Sequence, residues 1–311
     1  MSVLFTFPGQ GAQKPAMLHA LPEHPEAART LAEASQALGR DVLALDTAEA
    51  LRSTVAVQLC LLVAAVAMAR VLAAHGARPQ MVAGLSIGAW PAAVVAGVLA
   101  FADAVRLVEL RGRLMEDAYP SGYGMTAIGG LTRQQVAPLV ARVHGPASPV
   151  YLANLNGQRQ VVIAGSDAAL QAVAALALEH GAQRAERLAV AVPSHCELLD
   201  AQARALADAL AHVTLARPRI GFISSSQARM LFDAGRIGAD LAANMARPVL
   251  WADTVRHAWE RGARLAVEMP TGSVLTKLTA PEWPDGAALS CETERFDSLV
   301  LAVQRAADGA V

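Results

Sequence analysis

Met81-Val82-Ala83-Gly84-Leu85-Ser86-Ile87-Gly88-Ala89-Trp90 is the stretch that decides the fold. An apolar run over residues 81–85 enters a G-x-S-x-G sequence and leaves into a helical pattern over 87–99. Strand, serine, helix is the order of a nucleophile elbow. That turn is so sharp that the residues flanking the serine must be small, and the helix behind it aims free N–H groups at the hydroxyl. The competing reading is a glycine-rich turn without chemistry. From 79 to 102 there is no charge at all, which is about the length of a membrane span. Gln80, Ser86, Pro91 and the glycines inside it favour a buried strand, a tight turn and a buried helix instead.

Outward from the elbow, the pattern alternates. Residues 3–7 form an apolar strand that ends at Pro8-Gly9. Helical periodicity covers 25–38 and 51–75, and the second helix is apolar nearly all round over 59–69, so it should be buried. A further helix covers 102–118. Strands alternating with helices of this length imply βαβ units and a mainly parallel sheet, giving an α/β fold. The texture then changes. Strand 125–130, helix 133–143, strands 150–154 and 160–164, helix 167–180 and strand 184–190 follow the β-α-β-β-α-β ferredoxin-like order. Residues 125–190 therefore read as a small inserted domain, and 1–124 with 191–311 as one large α/β domain. The large-domain pattern resumes with helix 196–212, strand 219–224, helix 250–261 and strand 264–268, then helices to the end.

Composition narrows the function. With 54% apolar and 17% charged residues in 311, a large core is expected and disorder is not. A net charge of −1 and 4% aromatics provide neither the basic field nor the stacking platforms of a nucleic-acid binder. Cys60, Cys196 and Cys291 are widely spaced, and no CxxC, HxxxH or HExxH pattern is present, so neither a disulfide framework nor a metal site is expected. MSVLFTFPGQGAQ lacks the basic start and apolar core of a signal peptide. A cytoplasmic protein that does not engage membranes is the expectation.

A nucleophilic serine needs a base. Among eight histidines His195 stands apart, directly after a strand in Val192-Pro193-Ser194-His195-Cys196-Glu197. Ser194 and Glu197 have capping-box spacing, which would put His195 at the first helical position, where the dipole favours neutral imidazole. The alternative is a surface histidine that merely opens a helix. Arg111 interrupts the apolar stripe Ala104, Leu107, Val108, Leu114, Met115, so its guanidinium faces the core and must find an anion. Either an internal carboxylate pairs with it, or it waits for the carboxylate of a ligand, which its planar fork suits. In Phe7-Pro8-Gly9-Gln10-Gly11-Ala12-Gln13, glycines on both sides of Gln10 let its backbone N–H approach a ligand. Together with the N–H of Ile87 it could form an oxyanion hole.

FPGQGAQ, GLSIG, FADAVRLVELRGRLM, NLNGQRQVVIAG, PSHCELLD and NMARPVLW resemble, in order and spacing, the malonyl-CoA:acyl-carrier-protein transacylases through nearly the whole chain. The resemblance implies an α/β-hydrolase-like large domain with a ferredoxin-like insert. It implies Ser86 as acyl acceptor, His195 as base and Arg111 as clamp for the malonyl carboxylate. Gln10 and Ile87 would form the oxyanion hole, and the backbone carbonyl of Asn244 would orient the histidine. No cofactor would be bound permanently, since malonyl-CoA and CoA are substrate and product. An acyl carrier protein would be the partner. Leu85 and Ala89 depart from the family's usual His and Glu, and GLSIGAWPAAVVAG resembles the branch serving malonate decarboxylase, whose carrier bears a CoA-like group. That branch and its other subunits are the expected context, with fatty-acid synthesis as the alternative. Two serine-hydrolase readings, with His257 after Asp240 or with Asp285, leave Arg111 unexplained. A catalytically inactive carrier-docking subunit is the non-enzyme alternative.

Overall fold

The computed structural model describes residues 2–307. The chain begins with β1 (Ser2–Phe7), α1 (Pro25–Leu38), α2 (Thr54–Ala74), β2 (Met81–Gly84), α3 (Ala89–Val95) and α4 (Phe101–Ala118). It continues through β3 (Tyr123–Gly129), α5 (Arg133–Val143), β4 (Val150–Gly157), β5 (Gln160–Ser166), α6 (Asp167–Glu179) and β6 (Arg184–Arg187). It closes with α7 (Asp200–Leu210), β7 (Gly221–Ser224), β8 (Arg229–Leu231), α8 (Ala234–Ala243), α9 (Trp251–Glu260), β9 (Ala263–Glu268), α10 (Val274–Thr279), β10 (Ala287–Ser290) and α11 (Phe296–Ala307).

Two sheets result. The larger has the order β10-β9-β1-β2-β7-β8, and every pairing is parallel except β7 with β8. β1 and β2 lie at its centre and are buried almost throughout, so their unbroken apolar sequence is that of strands covered on both faces. The smaller sheet has the order β4-β5-β3-β6, all antiparallel, with α5 and α6 packed on its own apolar cluster around Ile128, Val136, Leu170 and Val173. Its strands all come from 123–187, and its β-α-β-β-α-β connectivity is that of a ferredoxin-like unit.

α2 is long and apolar enough to cross a membrane, but 89% of its apolar window is buried inside the protein. The helix starts at Thr54, later than the apolar periodicity suggests, because the Ser53 side chain accepts from Val55 N–H and caps it. Three further departures have local causes. The helix expected over 87–99 opens with a 3-10 turn (Ser86–Gly88) and ends at Val95, ahead of Gly97 with φ +77°. The helix expected from 196 begins with a 3-10 turn (Glu197–Leu199) and becomes α-helical at Asp200. The short β8 and β10 and the helix α8 carry too few periodic residues to stand out, and only pairing and packing reveal them.

Candidate active site

Ser86 follows β2 at φ +57°, a left-handed conformation that a serine adopts only when its surroundings impose it. The two elbow glycines show what imposes it. A Cβ on Gly84 would sit 2.0 Å from the Gly88 carbonyl, and one on Gly88 would sit 2.1 Å from the Phe7 carbonyl oxygen. Leu85 N–H donates to that same Phe7 oxygen at 3.0 Å. The turn is thus pressed against the end of β1, which brings the Pro8–Gln10 loop alongside the serine. Among the described residues the backbone N–H of Gln10 has no protein acceptor. The N–H of Ile87 lies in the first turn after the serine, where backbone donors lack an intrahelical acceptor.

His195 meets the serine from the opposite side. Its Nε2 is 2.8 Å from Ser86 Oγ. Its Nδ1 faces two carbonyl oxygens, Asn244 at 2.9 Å and Arg247 at 3.1 Å. Carbonyls only accept, so Nδ1 carries the proton and Nε2 presents its lone pair to the hydroxyl. Among the described residues no carboxylate completes a triad; two backbone carbonyls take its place. The ring is buried, which, together with the charge of Arg111, lowers its pKa from 6.5 to about 4, against a smaller upward pull from the two carbonyls. The capping-box expectation fails. His195 has φ +67°, Ser194 Oγ turns back to Val192 O, and the helical turn starts two residues later, so burial keeps the ring neutral, and a helix dipole does not. His195 N–H donates instead to Met245 O at 2.7 Å, which locks the residue onto the segment after α8.

Arg111 is fully buried, and no carboxylate among the described residues pairs with it. Its Nη1 donates to Gln58 Oε1 at 2.6 Å, and Nη2 reaches Ser86 Oγ at 3.4 Å. Its Nε has no partner. Burial pulls its pKa down from 12.5 to about 9. The internal ion-pair reading is therefore excluded among the described residues, and the buried Nε is left without a partner on the edge it shares with Nη2, which reaches the serine. Gln58 was missed in the sequence because a lone glutamine in an apolar helix gives no pattern. It lies in the second turn of α2, and only its contact with Arg111 marks it.

A cleft of about 210 Å³ opens over Ser86, with Gln10, Asn154, Asn156, Gln160, His195 and Val274 on its walls. Asn154 and Asn156 each carry a buried Oδ1 without a partner. A larger cavity of about 610 Å³ lies on the far side of His195 and is not lined by the serine. The hydrolase alternatives find no support in this geometry. His257 Nε2 accepts from Met230 N–H at 3.2 Å, and Asp285 is exposed with no bond to the serine.

Residues 4–282 match the acyl transferase domain family. A malonyl CoA-acyl carrier protein transacylase from Salmonella typhimurium is 40% identical over 281 residues, covering 88% of this chain and 91% of that protein. The structure superposes on FabD from Acinetobacter baumannii with a TM-score of 0.93 at 38% identity, covering 98% of this chain and 99% of the other. It also matches the malonyl-transacylase PlMCAT, solved with the type II polyketide-synthase acyl-carrier protein AntF, with a TM-score of 0.91 at 35% identity, covering 98% of this chain and 100% of that one. With an elbow serine that meets a carbonyl-held histidine on one side and a buried arginine without a carboxylate partner among the described residues on another, and with relatives matched over nearly their full length, the chain belongs to the malonyl-CoA–acyl carrier protein transacylases of the acyl transferase family.

Proposed function

We propose that this protein moves a malonyl group from malonyl-CoA to the prosthetic thiol of an acyl carrier protein through a malonyl ester on Ser86. The observation that carries the reading is the unpartnered Nε of Arg111 behind the serine. A fully buried guanidinium with no carboxylate partner among the described residues, 3.4 Å from the nucleophile, suits an acyl group that ends in a carboxylate. Nη1 is committed to Gln58, so the carboxylate would take Nε and Nη2 side-on, satisfying the orphaned Nε. An acetyl group would leave both unpaired.

The steps follow from the contacts. His195 Nε2 takes the Ser86 proton as Oγ attacks the thioester carbonyl, and the two carbonyls behind Nδ1 stabilise the imidazolium that forms. The N–H groups of Gln10 and Ile87 receive the oxyanion, and in such sites each donor is worth about 10²–10³ in rate. Coenzyme A departs with the proton. The carrier thiol then attacks the ester with His195 again as base, and Ser86 recovers its proton. Asn154 and Asn156 offer acceptors to the amide N–H groups of a pantetheine arm lying in the cleft. In this reading 1–124 and 191–311 supply the nucleophile, base and clamp, while 125–190 supplies one wall.

For the acceptor, we infer a phosphopantetheine-bearing acyl carrier protein of the fatty-acid-synthesis type; in its support, the full-length relatives are named for transfer to an acyl carrier protein and none of those reported above for malonate decarboxylation. The malonate decarboxylase carrier remains as the second reading because of one feature, the elbow's Leu85 and Ala89. Supplying malonyl-enzyme with each carrier in turn tests both. Faster transfer to the ordinary carrier supports the first reading, and faster transfer to the carrier with the CoA-like group supports the second. Release of free malonate at one rate with or without either carrier would refute transfer altogether.

A further inference from the structure

His195 is only as well placed as the short segment that carries its carbonyl partners, and one turn holds that segment at both ends. Asn244 follows α8 directly, and Asn244, Met245 and Arg247 accept the hydrogen bonds that fix the ring and the main chain of His195. Upstream, Asp240 in the last turn of α8 is buried. Its Oδ1 accepts from Ser224 Oγ at 2.8 Å, from Gln227 Nε2 at 3.1 Å and from Ser226 Oγ. Its Oδ2 has no partner. Downstream, Leu250 N–H donates to Ser225 O at 2.7 Å. The turn itself is closed by Gln227 N–H on Ser224 Oγ at 3.1 Å. The loop that ends β7 therefore grips residue 240 through side chains and residue 250 through its backbone, with the histidine's carbonyls between the two grips.

No cation pairs with Asp240 among the described residues, and a buried carboxylate held by neutral donors alone is costly to keep. What it offers in return is geometry, because one carboxyl oxygen ties Ser224, Ser226 and Gln227 to the end of α8. We propose that Asp240, with Ser224 and Ser226, forms a positioning set that holds the Asn244–Arg247 carbonyls in register for His195. This rests on the reading of His195 as the base. The set touches no reacting atom and acts only through the 244–247 segment.

The test uses single-turnover acylation by malonyl-CoA in Asp240→Ala, Asp240→Asn, Ser226→Ala and the Ser224→Ala/Ser226→Ala double variant. Asp240→Ala and the double variant should lower the maximal rate between about tenfold and a hundredfold, the scale of a misplaced catalytic group. KM for malonyl-CoA should stay within about twofold, because Arg111 and the cleft walls sit on other elements. Asp240→Asn keeps an oxygen for the hydroxyls and should restore most of the rate. Val303→Ala, buried in α11, supplies a comparable loss of core packing and should keep the wild-type rate per folded molecule. The proposal is overturned if Asp240→Ala and the double variant acylate like the Val303→Ala control, if KM for malonyl-CoA changes along with the rate, or if asparagine does not rescue. His195→Ala run alongside keeps the two levels apart. Unchanged acylation there refutes the base itself, whereas loss there with a normal Asp240→Ala refutes only the positioning set.

Discussion

Replacing Arg111 with methionine should make the empty protein more stable and the enzyme much poorer, and both magnitudes come from the same geometry. The folded-state pKa of this cation is depressed from 12.5 to about 9 by burial. A base so depressed destabilises the fold wherever it is charged in both folded and unfolded states. The cost is therefore complete at neutral pH and is relieved only as pH rises above about 9. At about 1.4 kcal/mol per pH unit, the drop of about 3.5 corresponds to an upper bound near 5 kcal/mol. Methionine removes the charge and fills the space, but forfeits the bond to Gln58, which contributes about 1.5–3 kcal/mol. A net gain of about 2 kcal/mol should raise Tm by about 4 °C. Malonyl transfer loses two charge-assisted hydrogen bonds of about 1.5–3 kcal/mol each, so kcat/KM for malonyl-CoA should fall about 10²–10⁴-fold. Acetyl-CoA makes neither bond and should react no more slowly than before. Thermal unfolding and acylation rates with both thioesters measure these effects. A lower Tm together with unchanged malonyl kinetics would refute the reasoning, because Arg111 would then serve the fold and have no part in binding substrate.

The remaining predictions concern the parts around that clamp. Acylation by a neutral ester such as p-nitrophenyl acetate should hold its rate down to about pH 5 and fall as pH drops through about 4, where His195 gains its proton. In Arg111→Met the acid limb should move up toward 6.5, because the repelling charge is gone; a limb that stays put removes the coupling. Gly88→Ala should abolish folding or acylation, since its Cβ would lie 2.1 Å from Phe7 O, whereas Gly145→Ala, with nothing nearer than 3.6 Å, should behave as wild type in both assays. Gln58→Leu should lower the preference for malonyl over acetyl by about tenfold, the value of one charge-assisted bond that orients Arg111. Competition between the two thioesters reads that ratio directly, and an unchanged ratio would show that Gln58 does not set the clamp.

The elbow, the parallel centre of the sheet and the ferredoxin-like insert were legible because each writes a period or a forced residue type into the chain. Gly84 and Gly88 are dictated by contacts of about 2 Å, and Arg111 stands out because a charge on an apolar stripe violates the helical pattern. The histidine itself was legible, but its surroundings were not. A positive φ at His195 and hydrogen bonds to Asn244, Met245 and Arg247 depend on backbone brought from about fifty residues away, and no local spacing encodes that. The Ser194–Glu197 spacing misled for the same reason, since His195, held on Met245 O, sits at φ +67° where no right-handed helix can begin. Gln58, Asn154 and Asn156 have no periodic signature; only three-dimensional proximity marks them. β8 and β10 are edge strands of three and four residues, too short for alternation to register.

Intact-mass measurement of the protein after brief exposure to malonyl-CoA, followed by peptide mapping and a chase with holo acyl carrier protein, tests the central claim most directly. The account predicts one malonyl group per chain, on Ser86, absent in Ser86→Ala and discharged onto the carrier thiol in the chase. A malonyl adduct that persists in Ser86→Ala, or one on Ser86 that the carrier cannot remove, would contradict it.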